Sequence, residues 1–215
     1  MHRIRTKICG LTRNADAMLA AELGADAIGL VFYPPSKRSL KPTQAREVVA
    51  GLPAFVSRVA LFVDPDADAV NEVLASLHVD CLQFHGSETA DFCASFGVPY
   101  MKALRMRPGV DALASINGYP DASAILLDAY EAGMAGGTGK RFDWALAVEC
   151  VQRSSVAIVL AGGLSADNLE QAMTQVCPWA LDVSSGVEAQ PGIKDAALMQ
   201  QFFNEVYRVQ SKSGF

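Results

Sequence analysis

The chain has 215 residues, 51% of them hydrophobic, and a net charge of −5, enough to bury one large core or two smaller ones. Its Lys and Arg are scattered and outnumbered by acids, so no footprint for a polyanion exists, and nucleic acid and anionic membrane surfaces are excluded as expected partners. No apolar run nears the roughly 18 to 20 residues that span a bilayer, and Met1 to Lys7 leads into a strand rather than a signal-peptide core, so a cytoplasmic protein is expected.

In chain order, a short strand ends on Cys9 and turns at Gly10. Thr12 is the expected cap of a helix through Ala17, Met18, Ala21 and Leu23, with Gly24 as its stop. Ala25 to Phe32 has strand length and is closed by Tyr33 to Ser36. The alternation continues with a helix from Pro42 to about Gly51, a strand Val56 to Val63, a helix Asp66 to Leu77 and a strand Asp80 to His85. It then runs through a helix Glu88 to Phe96, a strand Pro99 to Leu104, a helix Gly109 to Asn117 and a strand Ala122 to Asp128. A glycine-rich loop, Gly133 to Gly139, follows. The last units are a helix Phe142 to Gln152, a strand Val156 to Ala161, a helix Ala166 to Val176, a strand Trp179 to Ser184 and a helix Asp195 to Val209.

Eight strands alternating with eight helices, without a linker or charge block between units, favour a single α/β domain over residues 1–209. The expected architecture is a closed (β/α)8 TIM barrel of eight parallel strands. An open doubly wound sheet is the competing arrangement. Residues 210–215 read as a short frayed tail. The five cysteines are odd in number and lack C-x-x-C spacing, and the three histidines form no H-E-x-x-H, so neither a disulfide framework nor a metal site is expected. Cys81, Cys93, Cys150 and Cys177 read as packing residues.

A barrel places its chemistry at the carboxyl ends of its strands. Those positions are Cys9, Tyr33 to Arg38, Asp64, His85, Arg105, Asp128, Gly162 with Gly163, and Ser184, Ser185 and Gly186. Lys7 and Cys9 share one face of the first strand, with Thr6 and Ile8 on the other. Three loops offer bare backbone amides for an anion: Gly136 to Gly139, Ala161 to Ser165, and Ser184 to Gly186. The last two follow strands seven and eight, the recurrent phosphate site of barrels. Gly139 and Lys140 do not make a nucleotide P-loop, because Met134 stands where that motif needs glycine and Arg141 where it needs Ser or Thr.

Nine segments of the chain together resemble the phosphoribosylanthranilate isomerase family of tryptophan biosynthesis. The segments are Lys7 to Thr12, Gly24 to Gly29, Pro35 to Ser39, Gln83 to Gly86, Leu127 with Asp128, Gly136 to Gly139, Leu160 to Asn168, Asp182 to Glu188 and Pro191 to Asp195. The resemblance implies an aldose–ketose isomerase that performs a cofactor-free Amadori rearrangement of N-(5-phosphoribosyl)anthranilate to 1-(2-carboxyphenylamino)-1-deoxyribulose 5-phosphate. It implies Cys9 as general base, Asp128 as general acid and Arg38 as the partner of the anthranilate carboxylate. His85, Asp182 and Lys7 are expected on the substrate side, and Gly137, Gly139, Gly162, Gly163, Ser184, Ser185 and Gly186 around the phosphate. Opening the furanose needs a proton on the ring oxygen, and forming the enolamine needs loss of the C2′ proton, so an acid and a base must flank the sugar. A free Asp carboxyl is almost wholly ionised at neutral pH, so Asp128 needs burial or nearby negative charge to act as an acid. A thiol with an ordinary pKa near 8.5 is only a few per cent thiolate, so Cys9 is expected to rely on positioning.

Two other functions fit parts of the pattern. The related histidine-pathway isomerase runs the same rearrangement with aspartates at both catalytic positions, and Cys9 argues against it. A non-catalytic sugar-phosphate binding module would need only the phosphate loops. The expected partner is a small phosphosugar, with the protein a monomer or homodimer.

Overall fold

The computed structural model describes residues 3–106, 111–129 and 144–213. Eight strands close into one parallel barrel in chain order. They are β1 (Arg5–Cys9), β2 (Ala27–Val31), β3 (Ser57–Phe62), β4 (Cys81–Phe84), β5 (Tyr100–Met106), β6 (Ala124–Ala129), β7 (Ala157–Leu160) and β8 (Ala180–Val183). Pairing of β1 with β8, from Arg5 opposite Ala180 to Ile8 opposite Val183, joins the two ends of the sheet and excludes the open alternative. The helices between them are α1 (Asn14–Glu22), α2 (Pro42–Val48), α3 (Ala67–Ser76), α4 (Ala90–Ala94), α5 (Ala112–Asn117), α6 (Trp144–Arg153) and α7 (Leu169–Val176), and α8 (Ala196–Ser213) follows β8.

The two faces of each strand are sorted by size. Ile8, Ile28, Leu30, Phe62, Leu82, Phe84, Ile125, Leu127, Ile158, Leu160 and Leu181 point outward into the layer shared with the helices. There Phe62 stacks on both Phe32 and Phe84, with ring centroids 5.5 and 6.3 Å apart. Inward positions are mostly smaller: Val59, Met101, Ala103, Ala124, Leu126, Val159, Ala161 and Ala180 fill the lumen. The narrow lumen is therefore a packed core, and the polar side chains that enter it stand out. No helix among the described residues is long and apolar enough to cross a membrane.

Several local expectations change. Thr12 does not cap α1; that helix starts at Asn14, and the Thr12 hydroxyl donates instead to the Gly192 carbonyl. Gly24 does end the helix, at φ +97°, a backbone conformation that L side chains rarely adopt. The segment expected as one helix from Ala166 splits into a 3₁₀ turn, Ala166–Asn168, and α7, because Asn168 turns its side chain back to Gly163 O and Ser165 N. Cys93 and Cys150 are buried, but Cys177 is exposed and closes α7 in the left-handed region. The expected frayed tail is helical as far as Ser213: Val209 is buried and Gln210 Nε2 donates to Ile4 O at 3.1 Å, tying α8 to the start of β1. Finally, an antiparallel hairpin of β9 (Glu188–Gln190) and β10 (Ile193–Lys194) follows β8 and has no counterpart in the expected element string.

Candidate active site

Because all eight strands are parallel, their carboxyl ends open on one mouth. On one wall of it β1 and β8 bring Lys7 opposite Asp182, and Lys7 Nζ lies 2.9 Å from Asp182 Oδ1 with both side chains buried. Cys9 is one step nearer the mouth, in a small apolar group with Val31 and Leu61, and its thiol feels the charge of the Lys7 ammonium. Gly29 on β2 makes this approach possible: a Cβ there would stand 2.7 Å from Cys9 Sγ and 3.0 Å from Lys7 Nζ.

Opposing effects act on the thiol. Burial pushes the Cys9 thiol above the ordinary cysteine range, and Asp182 adds to the rise; the Lys7 and Lys194 ammoniums pull it back without reversing it. Burial likewise disfavours the Lys7 cation, but the Asp182 carboxylate and Cys9 outweigh that and hold Lys7 above the ordinary 10.5. The resting wall is a protonated thiol beside a permanent ammonium.

Arg38 reaches the same wall from the loop after β2. Its side chain crosses directly over Gly10, where a Cβ would collide with it. Its guanidinium is engaged in a fork: Nε lies 2.8 Å from Glu188 Oε1 and Nη2 lies 2.5 Å from Oε2. Glu188 also accepts from Lys194 Nζ at 2.8 Å, and Lys194 in turn donates to Ser184 O at 3.0 Å. Burial alone would raise Glu188, yet its hydrogen bonds with Arg38 and Lys194 hold it below the ordinary 4.5. Desolvation lowers Lys194, only partly offset by Glu188. Sequence reasoning missed Glu188 and Lys194 as site residues. Both lay inside the family-like segments, but their role depends on the unforeseen hairpin that folds them back on Arg38.

The second wall comes from β4 and β6. Asp128, on the inward face with Ala124 and Leu126, is partly exposed, and its Oδ2 lies 3.1 Å from His85 Nε2. His85 Nδ1 lies 3.3 Å from Nε2 of Gln83, two residues earlier and fully buried. So His85 contacts the expected acid, while Asp182 belongs to the wall of the expected base.

The loops after β7 and β8 also meet at this end. Gly162 and Gly163 adopt φ values of +85° and +67°. Gly186 packs so closely on the Leu164 carbonyl that a Cβ would collide with it. The Ser184 hydroxyl donates to Cys9 O at 3.0 Å, tying the β8 loop to the end of β1. Ser185 opens a 3₁₀ turn, Ser185–Val187. Gly137 and Gly139 lie outside the described residues. Among the described residues no group of three or more His, Cys, Asp or Glu side chains could hold a metal ion.

This arrangement has known counterparts. The family model for N-(5'phosphoribosyl)anthranilate (PRA) isomerase matches residues 6–205. An N-(5'-phosphoribosyl)anthranilate isomerase of Pseudomonas putida (strain W619) is 52% identical over 206 residues, covering 96% of this chain and 98% of that protein. The crystal structure of phosphoribosyl anthranilate isomerase from Thermotoga maritima superposes with a TM-score of 0.88 at 38% identity, covering 95% of this chain and 99% of the other. A phosphoribosyl anthranilate isomerase in complex with reduced 1-(o-carboxyphenylamino)-1-deoxyribulose 5-phosphate matches with a TM-score of 0.84 at 36% identity, with the same coverage. The chain belongs to the N-(5'-phosphoribosyl)anthranilate isomerase family.

Proposed function

We propose that this chain isomerises N-(5'-phosphoribosyl)anthranilate by an Amadori rearrangement in which Asp128 is the general acid and Cys9 the general base. The observation that carries this reading is the placement of the two groups. Each ends an inward-facing strand position at one mouth, and each has a polar partner fitted to its task.

The protonated Asp128 carboxyl gives its proton to the furanose ring oxygen. The C1′–O bond breaks, and the amine nitrogen supplies electrons to form a cationic imine. That positive charge acidifies the C2′ hydrogen, and Cys9 removes it as thiolate, leaving an enolamine whose C2′ hydroxyl then loses a proton while C1′ gains one, which gives the ketone. Since burial keeps the thiol mostly protonated, the thiolate is a minority form, and the positive charge of Lys7 supports it. The sugar takes one proton from Asp128 and gives one to Cys9, and exchange with solvent returns both groups to their starting forms before the next turnover.

Binding follows the charges. Arg38, held in place by Glu188, presents its remaining N–H groups to the anthranilate carboxylate. The amides around Gly137, Gly139, Gly162, Gly163, Ser184, Ser185 and Gly186 take the phosphate. The small phosphosugar is the partner, with no nucleic acid or membrane involved, and the protein works in the cytoplasm as a monomer or homodimer. Incubating the pure protein with N-(5'-phosphoribosyl)anthranilate and following loss of anthranilate fluorescence tests the activity. Cys9→Ala and Asp128→Ala should each lose about 10²- to 10⁴-fold in kcat while folding normally. Retained turnover in either would remove that residue from the chemistry. Turnover of the histidine-pathway aldose at a comparable rate would instead favour the related isomerase.

A further inference from the structure

Gln83 is fully buried on the inward face of β4, between Cys81 and His85, since strand residues two apart share a face. Its Nε2 lies 3.3 Å from His85 Nδ1, and His85 Nε2 lies 3.1 Å from Asp128 Oδ2. The three side chains form a chain from the lumen to the mouth, and the donor capacity of its first member constrains the rest. An amide nitrogen can only donate, so Nδ1 must accept; a neutral imidazole then carries its proton on Nε2.

We propose that Gln83 is a positioning residue that sets the tautomer of His85 and, through it, selects the oxygen of Asp128 that carries the transferable proton. The proposal rests on Asp128 being the acid. With Nε2–H donating to Oδ2, that oxygen is an acceptor, and the acidic proton of Asp128 resides on Oδ1. When this proton passes to the furanose oxygen, the carboxyl becomes a carboxylate, and the existing hydrogen bond from His85 becomes charge-assisted. It therefore strengthens at the moment negative charge appears on Asp128, which is the condition for lowering a barrier rather than merely binding. The opposite tautomer would place a bare Nε2 lone pair against Oδ2, where it would compete with the sugar for the acidic proton.

Amide orientation and tautomer act as a single switch. Among the described residues Gln83 Oε1 has no hydrogen-bond partner. Turning the amide over would pair Oε1 only if Nδ1 carried a proton. It would also take Nε2 from its acceptor and leave both its hydrogens in a lumen lined mainly by aliphatic groups.

The deciding measurement is 15N NMR of the resting, histidine-labelled wild-type protein, with His85 assigned through a His85→Asn variant. The expected spectrum has an unprotonated Nδ1 and a protonated Nε2; a protonated Nδ1 in the wild type overturns the proposal. In Gln83→Glu a carboxylate faces Nδ1 and demands a proton there. His85 should shift to the Nδ1-protonated form, and kcat should fall about 100-fold with KM changed by less than about threefold. Gln83→Met, of similar length without an amide, should lose about tenfold in kcat. Wild-type kcat in either variant would overturn the link between tautomer and acid. If a variant fails to fold, the wild-type spectrum still decides. The spectrum is taken without substrate, so failure of Asp128 as the acid is read separately, from the turnover of Asp128→Ala.

Discussion

The two walls of the mouth are built on different physical terms. On the β1/β8 wall, Lys7 and Asp182 are 6% and 9% exposed and form a buried ion pair, and the Arg38–Glu188–Lys194 group extends the charge network around Cys9. On the β4/β6 wall, His85 and Asp128 are 18% and 13% exposed and are joined by one hydrogen bond. On the proposed mechanism Cys9, mostly protonated at rest, gains from a fixed positive charge that stabilises its minority anion, and Asp128, which must regain a proton every turnover, gains from partial exposure to solvent. The first wall therefore couples activity to folding stability far more tightly than the second.

Removing one partner from the buried pair is the strongest way to break this contrast. Asp182→Ala leaves Lys7 unpaired in the lumen and should cost about 3 to 5 kcal/mol in chemical denaturation. Restoring an apolar pair with Lys7→Met and Asp182→Leu should recover much of that loss, yet leave kcat low because Cys9 has lost its ammonium. Recovery of both stability and turnover in the double variant would show that the pair serves packing alone.

A smaller effect comes from Gly29→Ala, whose Cβ would stand 2.7 Å from Cys9 Sγ. It should cost about 1 to 3 kcal/mol in the same denaturation assay. Turnover should drop disproportionately, because the thiol and Lys7 must both move. Unchanged kcat would mean that the close packing around Cys9 is not needed for its chemistry.

On the acid wall, Asp128→Asn should shift stability by less than about 1 kcal/mol while sharply lowering turnover, the inverse of the Asp182 result. Thermal unfolding and fluorescence turnover on the same preparation separate the two.

The smallest effects are in pH dependence. Glu188 is held below its ordinary 4.5, so the folded state binds fewer protons than the unfolded state as pH falls through that region. Its contribution is present above about pH 4.5 and is lost as pH drops through the lowered folded value. Glu188→Gln should therefore flatten the acid limb of the stability curve, and an unchanged acid limb would count against the Arg38–Glu188–Lys194 network. For Cys9 the shift is in the opposite direction. Its thiol is raised above 9.0, so the thiolate fraction, read as the rate of Cys9 alkylation in the protein without substrate, should keep increasing with pH beyond 9; an alkylation rate that levels off near neutrality would mean that burial does not hold the thiol protonated.

Much of this was legible along the chain. Alternation of short apolar runs with amphipathic segments identified the eight repeats, the strand ends put Cys9, His85 and Asp128 among the mouth residues, and strand parity put Lys7 and Cys9 on one face. The misses have a common cause. Thr12 looks like a helix cap until Gly192, 180 residues away in sequence, takes its hydroxyl. Arg38 is expected to face only the substrate until Glu188, 150 residues away, occupies its fork. The segment 210–213 looks like a tail until Ile4 accepts from Gln210.

The repeat and the strand ends that carry polar groups could be read from the chain, because they depend on local periodicity, and the family resemblance is what singles out the thiol and the carboxyl. The pairing of polar groups emerges from the folded barrel: Lys7 belongs to Asp182, Glu188 holds Arg38, and Gln83 leads through His85 to Asp128. Those pairings arise when the sheet closes on itself and the hairpin after β8 folds over its rim. Electrostatic energies depend on distances of a few ångströms and on exclusion of water, and both exist only once the barrel is shut.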